Sequence, residues 1–288
     1  MKNKIYLNGQ ILPLEEAKIS VLDRGLLYGD GVFESLRTYK GKPFLLEGHI
    51  KRLLKGLKAL KIRAPLSAGQ LKSAVLKTIA ANKFKESYIK IIITRGSAKG
   101  HGLDPKNTAG KASLIIMAEE QKPYPKNTFI SGWKAIVSSI IRPNVPTSHL
   151  KTLCYVNNLL AKAEAKKLGA DEAFMLNEKG HLAEGSISNI FIVKHGILYT
   201  PSIENPILVG LSRNLVIKLA KQAAFKIIEK DITPKELYTA DECFITFSGA
   251  GIVPITKIWN KKIGKGKCGS VTSMLIRFYQ AETQKPQK

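Results

Sequence analysis

The 288-residue sequence has few cysteines, few acidic residues and no long apolar run. Its three cysteines, Cys154, Cys243 and Cys268, are an odd number without CxxC spacing, which argues against a disulfide framework and a zinc site. No apolar stretch approaches the roughly 18 residues of a membrane-spanning helix. The apolar run near Met1 is too short for the core of a signal peptide. We therefore expect a cytoplasmic protein with free thiols, no bound metal and no membrane contact.

Acidic residues are about half as common as basic ones. Lys and Arg number 46 and Asp and Glu number 22, so the formal net charge is +24. Hydrophobic residues make up 44% and charged residues 24%, which are ordinary values for a globular protein and exclude a disordered chain or a fibre. The lysines are spread along the chain without a nucleic-acid-binding motif. We therefore interpret the charge as a solvated surface and expect no nucleic-acid partner.

Hydrophobic periodicity predicts strands and helices along the whole chain. Residues 4–12 alternate around Asn8-Gly9, which predicts a hairpin. Leucine and isoleucine recur at helical spacing over 47–61, which predicts an amphipathic helix. The same patterns predict strands at 32–39, 88–94, 113–118, 128–141, 172–176, 189–194, 226–230 and 242–247, and helices near 71–79, 155–168, 211–222 and 270–280.

Strands and helices are mixed in both halves of the chain without a regular βαβ rhythm. This arrangement favours an α+β fold over a doubly wound sheet. The segment 119–127 (EEQKPYPKN) contains two prolines and several charges, which indicates an interdomain linker. We therefore predict a smaller N-terminal α/β domain at 1–118, a linker at 119–127, and a larger C-terminal domain at 128–288.

Four segments contain residue types suited to a bound anionic cofactor. Lys151 lies between an irregular proline-containing loop and a predicted helix, and Glu184 is followed by small residues that allow a backbone to approach a ligand. Gly210 opens a predicted helix whose first amides, with Ser212, form an anion site. More small residues follow a strand at 246–251. Each segment alone also fits a surface lysine, a plain turn or an ordinary capped helix.

Six motifs, in order, resemble those of the fold-type IV (class IV) pyridoxal-phosphate enzymes. They are DRGLLYGDGVFESLR (23–37), HIKRL (49–53), KTLCYVNNLLAKAEA (151–165), EGSISNIF (184–191), ILVGLSRN (207–214) and ADECFITFSGAGIVP (240–254). The family includes branched-chain aminotransferases, D-amino acid aminotransferases and 4-amino-4-deoxychorismate lyases. The resemblance implies a two-domain α+β fold, like that of the D-amino acid aminotransferases, with a cofactor-binding C-terminal domain. It also implies pyridoxal 5'-phosphate as cofactor and a homodimer or a higher homo-oligomer.

The resemblance also implies roles for single residues. Lys151 is expected to be the catalytic Schiff-base lysine, Glu184 the partner of the pyridine nitrogen, and Arg52 a phosphate ligand. The implied cofactor-binding residues are Arg52, Lys151, Tyr155, Glu184, Ser188, Asn189, Leu211, Ser212 and Ser248. The implied substrate-binding residues are Tyr28, Phe33, Ser35, Arg37, Arg95, Lys99, His101, Ser248 and Gly249.

The motifs leave the reaction open. Ser35 stands where branched-chain aminotransferases usually have glycine, and Ile187 and Ser188 resemble the lyases and the D-amino acid enzymes. Lys99-Gly100-His101 has the spacing of the Arg-x-His carboxylate trap of D-amino acid enzymes, but a lysine lacks the bidentate fork of arginine. We expect an aminotransferase that acts on a branched-chain or other small amino acid and a 2-oxo acid. The alternatives are a D-amino acid aminotransferase, a 4-amino-4-deoxychorismate lyase that releases pyruvate and 4-aminobenzoate, and a basic binding protein that has lost catalysis.

Overall fold

The computed structural model describes residues 3–285, and these form two compact units. The first unit contains the residues up to Lys122 together with Leu150–Cys154. The second contains Pro123–His149 and Tyr155–Lys285. The chain therefore passes from the first unit to the second inside the segment 119–127, for which the sequence predicts a linker.

The first unit is built on an antiparallel sheet. Its elements are β1 (Lys4–Leu7), β2 (Gln10–Pro13), α1 (Arg24–Tyr28), β3 (Gly31–Tyr39), β4 (Lys42–Pro43), α2 (Leu46–Ala59), α3 (Ala68–Asn82), β5 (Ser87–Thr94), β6 (Ser97–Ala98), β7 (Thr108–Ala109) and β8 (Leu114–Glu120). Within the described residues of this unit, six strands pair in the order β2-β1-β8-β5-β3-β4, and β6 pairs separately with β7. The predicted hairpin is confirmed. Asn8 and Gly9 have φ of 49° and 106°, the left-handed values that a two-residue hairpin turn requires.

The core of the first unit contains residues of the sheet and of the helices α2 and α3. Its fully buried side chains include Leu36, Leu53, Leu71, Ile89 and Ile91. Burying one such side chain contributes about 1.5–3 kcal/mol. The packing of α2 on β3 has a consequence for function, because it brings polar side chains of α2 next to a carboxylate of the sheet.

The segment that contains Lys151 differs from the sequence-based boundaries, which place it in the C-terminal domain. The amide of Phe33 donates to the carbonyl of Lys151 (N···O 2.9 Å), and the amide of Leu153 donates to the carbonyl of Gly31 (3.0 Å). These bonds pair the segment with the start of β3. Its fixed position therefore comes from the first unit.

The second unit is built on a larger mixed sheet. Its elements are β9 (Trp133–Val137), α4 (Val156–Lys167), β10 (Glu172–Leu176), β11 (Leu182–Gly185), β12 (Asn189–Lys194), β13 (Ile197–Thr200), α5 (Leu211–Gln222), β14 (Ile227–Glu229), α6 (Pro234–Tyr238), β15 (Glu242–Phe247), β16 (Gly251–Ile258), β17 (Lys261–Lys262) and α7 (Ser270–Gln284). Within the described residues of this unit, the strands follow the order β11-β10-β9-β16-β15-β12-β13-β14, and β17 pairs with β16. The pairs β9–β10, β9–β16 and β13–β14 are parallel. The helices α5 and α7 pack on β15 and β16.

The strand predicted at 128–141 is wrong in its extent. Residues Lys126–Phe129 form a 3-10 helix, and the strand covers only Trp133–Val137. The strand β16 was not predicted, although it lies in the middle of the sheet. Pro254 interrupts its sequence and nearly all of its residues are buried, so it shows no alternation between polar and apolar positions.

The expectation of free thiols is confirmed. Cys154, Cys243 and Cys268 all lie within the described range and none is paired in a disulfide. Across residues 3–285 the structure also contains no helix with the length and apolar character needed to cross a membrane.

Candidate active site

Lys151 lies over an aromatic ring in the first unit. Its Nζ is 4.3 Å from the centroid of the Phe33 ring, and the Nζ of Lys90 is 5.3 Å from the same centroid. Phe33 and Lys151 are half-buried. Lys90 was missed by the sequence reasoning, because only the pairing of β5 with β3 brings it there.

Arg52 is fixed by a buried carboxylate that the sequence reasoning also missed. The Nε and Nη2 atoms of Arg52 donate to the two oxygens of Glu34 (2.5 and 2.8 Å), and Nδ1 of His49 is 2.7 Å from Glu34 Oε2. Glu34 is fully buried. A bidentate pair of this kind fixes the plane of the guanidinium group. The HIKRL motif contains His49 and Arg52 at i and i+3, but nothing in it points to a partner on β3.

The charges of this cluster follow from its burial. Burial opposes ionisation of Glu34, but hydrogen bonds and positive charge from Arg52 and His49 outweigh it and lower the pKa of Glu34 from 4.5 to about 2. Burial lowers the pKa of His49, and Glu34 only partly counteracts this effect. At neutral pH the cluster therefore contains a carboxylate, a guanidinium cation and a neutral imidazole.

Arg95, expected to bind substrate, donates to groups of the first unit. Its Nε and Nη2 donate to the carboxylate of Asp30 (2.7 and 3.0 Å), Nη2 also donates to the carbonyl of Leu60, and Nη1 donates to the carbonyl of Lys61. The same carboxylate accepts from Nε of Arg24 at 2.9 Å. The two guanidinium groups outweigh the effect of burial and lower the pKa of Asp30.

Arg24 connects Tyr28 with the loop that contains two further predicted substrate residues. Its guanidinium carbon is 5.1 Å from the centroid of the Tyr28 ring, and its Nη2 donates to the carbonyl of Leu103 at 2.9 Å. Lys99 and His101 are exposed on this loop. Arg24 therefore contacts this loop through a backbone carbonyl and not through the side chains of Lys99 or His101.

Ser35 and Arg37 lie on β3 on the same side of the strand as Phe33, since alternate residues of a strand share a face. The hydroxyl oxygen of Ser35 is buried and makes no hydrogen bond to any residue in the described part of the chain. The guanidinium carbon of Arg37 is 4.5 Å from the centroid of the Tyr39 ring.

In the second unit, Glu184 is a buried carboxylate with two compensating donors. Its Oε2 accepts from the amide of Leu208 at 2.8 Å, and its Oε1 is 3.0 Å from Nε of Arg142. Arg142 is itself held by the carbonyls of Pro206 and Ser148. Arg142 was missed because 42 residues separate it from Glu184.

Ser188 and Asn189 shape the backbone around Glu184. The hydroxyl of Ser188 donates to Glu172 Oε2 at 2.8 Å, and Nδ2 of Asn189 donates to the carbonyl of Leu208 at 2.8 Å. A Cβ atom on Gly210 would lie 2.1 Å from Oδ1 of Asn189, so a larger residue there would displace the Asn189 side chain. Ser188 therefore has a structural partner, while Asn189 fixes the residues before α5.

Leu211 and Ser212 form the first turn of α5, and Ser212 is buried. The oxygens of Ser212 and Tyr279 are hydrogen-bonded at 2.9 Å. The first amides of a helix have no partners within the helix and attract anions.

The remaining predicted residues of the second unit lie at the ends of elements. Tyr155 is the residue before α4, and Ser248 and Gly249 follow β15 in the turn to β16. All three are half-buried.

Each unit contains residue types that pyridoxal phosphate requires. The first unit contains a half-buried amine and a fixed guanidinium group, and the second contains a buried carboxylate and a helix start with a hydroxyl group. Among residues 3–285, no group of three or more His, Cys, Asp or Glu side chains is arranged to hold a metal ion.

Comparison with known proteins identifies the class. The model of the amino-transferase class IV family matches residues 31–258. The chain belongs to the class IV aminotransferase family. The predicted family is thereby confirmed, and so is the prediction of an aminotransferase.

Individual relatives cover nearly the whole chain. A Methanocaldococcus jannaschii protein, provisionally named a branched-chain-amino-acid aminotransferase, is 43% identical over 274 residues, which are 94% of this chain and 93% of the relative. The crystal structure of the Thermobaculum terrenum branched-chain amino acid aminotransferase in its PLP form has a TM-score of 0.88 at 28% identity and covers 98% of this chain and 94% of that one. The D-alanine aminotransferase of Listeria monocytogenes is 30% identical over 97% of this chain and 96% of the relative. The predicted fold-type IV α+β class and the predicted cofactor, pyridoxal 5'-phosphate, are confirmed.

Proposed function

We propose that this chain is a pyridoxal-5'-phosphate-dependent aminotransferase that moves an amino group between a branched-chain amino acid and a 2-oxo acid. The observation that carries the proposal is the nearly full-length similarity to the Methanocaldococcus protein, combined with a structural neighbour of the same enzyme name. When bound, pyridoxal phosphate supplies an aldehyde to which amines add and a ring that withdraws electrons from the Cα–H bond of the amino acid.

Lys151 binds the cofactor covalently through Nζ and moves the Cα proton of the substrate. Its backbone is fixed beside β3, while its Nζ lies over the Phe33 ring. The ammonium group of Lys90 lies near the same ring and adds positive charge to this side of the site. An unprotonated amine is the form of a lysine that attacks a carbonyl carbon and accepts a proton.

Glu184 holds the ring nitrogen in its protonated form. A buried carboxylate is costly unless other groups compensate its charge, and the amide of Leu208 and the guanidinium group of Arg142 do so here. Arg52, Leu211, Ser212 and Ser248 bind the phosphate. Arg52 contributes the positive charge of a guanidinium group whose plane is fixed by Glu34.

Tyr28, Phe33, Ser35 and Arg37 contact the substrate. The apolar rings suit a branched aliphatic side chain, which gains about 0.8 kcal/mol per buried CH₂ group. We further propose that the enzyme works in the cytoplasm as a homodimer or a higher homo-oligomer, as the family resemblance implies.

A panel of amino acids tests the substrate class. Holoenzyme is mixed with one amino acid at a time, and the change in cofactor absorbance reports half-transamination. We expect conversion with L-leucine, L-isoleucine and L-valine, and restoration of the original spectrum by the matching 2-oxo acids. Exclusive conversion by D-alanine would instead support the D-amino acid alternative, which the Lys99-Gly100-His101 spacing favours. No conversion by any amino acid, with pyruvate released from aminodeoxychorismate, would support the lyase.

A further inference from the structure

A buried hydroxyl group of β15 lies on the side of the sheet that faces the start of α5. Thr246 is directly opposite Asn189 in the antiparallel pair β12–β15. Residues opposite each other in such a pair project from the same face of the sheet, with Cβ atoms about 4.5–5.5 Å apart. The next pair on this face confirms the register, because the rings of Phe191 and Phe244 stack with centroids 4.9 Å apart.

The contacts of Asn189 show that this face of the sheet is next to the residues that precede α5. Its side chain donates to the carbonyl of Leu208, and its Oδ1 lies 2.1 Å from where a Cβ atom would be on Gly210, the residue immediately before α5. Since Thr246 projects beside Asn189, its side chain lies on the face of the sheet on which α5 packs. The helix has 12 residues, enough for its N-terminal amides to attract an anion.

Thr246 is 2% exposed, and its hydroxyl makes no hydrogen bond to any residue between positions 3 and 285. An unsatisfied buried hydroxyl costs free energy, and valine has nearly the same shape without that cost. A second hydroxyl near the helix start is satisfied, because Ser212 and Tyr279 are hydrogen-bonded to each other. The ring of Tyr279 fits closely because Gly251 has no side chain; a Cβ there would lie 2.6 Å from the ring.

We propose that Thr246 is a further ligand of the cofactor phosphate at the start of α5 and that Tyr279 is a positioning residue for the hydroxyl of Ser212. This inference rests on the proposed function, since it presupposes that α5 binds the phosphate of pyridoxal 5'-phosphate. Tyr279 accepts or donates the bond that orients Ser212, which leaves the other side of the Ser212 hydroxyl for the anion.

Thr246→Val tests the first part, with apoenzyme titrated by pyridoxal 5'-phosphate and separately by pyridoxal, which lacks the phosphate. We expect the affinity for pyridoxal 5'-phosphate to fall about 10- to 100-fold, as for a lost hydrogen bond to a charged group, with the affinity for pyridoxal unchanged. The melting temperature of the apoenzyme should stay equal or rise, because the variant removes an unsatisfied buried group. Thr246→Ser should restore most of the affinity.

Thr200→Val is the matched control in the same sheet. The hydroxyl of Thr200 donates to the carbonyl of Ile190 at 2.8 Å, so its loss should lower the melting temperature without changing cofactor affinity. Tyr279→Phe should weaken pyridoxal 5'-phosphate binding less than Thr246→Val and leave pyridoxal binding unchanged. If Thr246→Val does not fold, Thr246→Ala provides the same comparison.

The outcomes separate the two proposals. Wild-type apoenzyme that does not bind pyridoxal 5'-phosphate contradicts the proposed function. Wild-type enzyme that binds it, with Thr246→Val equally tight, overturns the assignment of Thr246. Equal losses of affinity for both pyridoxal compounds would also overturn it, because the effect would then not depend on the phosphate.

Discussion

Replacing Glu34 by glutamine removes the negative charge at the centre of the Glu34–His49–Arg52 cluster. Glutamine keeps the shape and one acceptor oxygen, but leaves the guanidinium group of Arg52 without its bidentate partner. Lowering of the Glu34 pKa from 4.5 to about 2 corresponds to about 3 kcal/mol of folding free energy. Loss of one member of a buried ion pair costs a similar amount, about 3–5 kcal/mol. We therefore expect Glu34→Gln to lower the free energy of unfolding by about 3 kcal/mol at pH 7.

The effect of Glu34→Gln on the free energy of unfolding should depend on pH in a defined direction. The folded-state pKa of Glu34 lies below its unfolded value, so its stabilisation is complete above pH 4.5 and is lost as the pH falls toward 2. The difference between wild type and Glu34→Gln should therefore narrow from pH 5 to pH 3. His49 has a lowered pKa, so the unfolded chain takes up its proton first as the pH falls below 6.5, and this destabilises wild-type protein in acid as well.

Urea unfolding of apoenzyme at pH 7, 5 and 3 measures these differences. Glu47→Gln is the matched control on α2, because Glu47 forms an exposed pair with Lys72 (Nζ···O 2.9 Å) and its loss should cost less than about 1 kcal/mol. The reasoning is refuted if Glu34→Gln costs no more than this control. A large loss that stays constant from pH 7 to pH 3 would also refute it, since the charge of Glu34 would then not be the cause.

Three further predictions concern cofactor binding and thiol chemistry. Lys151→Ala should abolish turnover and prevent covalent fixation of the cofactor by borohydride; a reduced adduct in the mass spectrum of the variant would reject the assignment. Arg52→Ala should weaken binding of pyridoxal 5'-phosphate about 10- to 100-fold, taking about 1.5–3 kcal/mol for a charged hydrogen bond, and unchanged affinity in a titration would place the phosphate elsewhere. Iodoacetamide should modify the exposed Cys154 in native protein and leave Cys243 intact, because burial raises the pKa of the Cys243 thiol; peptide mapping checks this, and equal labelling would contradict it.

Much of the secondary structure follows from local pattern alone. The strands at Glu172–Leu176, Asn189–Lys194 and Glu242–Phe247 and the helix Leu211–Gln222 have the predicted bounds. Each contains an apolar run or stripe bounded by turn residues, and such signals act over a few residues. The strand β16 lacked any such signal, because burial on both faces removes the alternation on which the prediction depends.

Motifs and periodicity are local properties of the chain, and they were enough to recognise the family, the bounds of several elements and the residue types available for chemistry. Which of these groups contact each other could be seen only in the folded chain. Glu34 pairs with Arg52 across 18 positions, Arg142 with Glu184 across 42, and Lys151 joins a strand more than a hundred residues earlier. Such contacts are set by strand pairing and by the packing of helices on sheets, and these bring together residues whose separation along the chain carries no periodic signal.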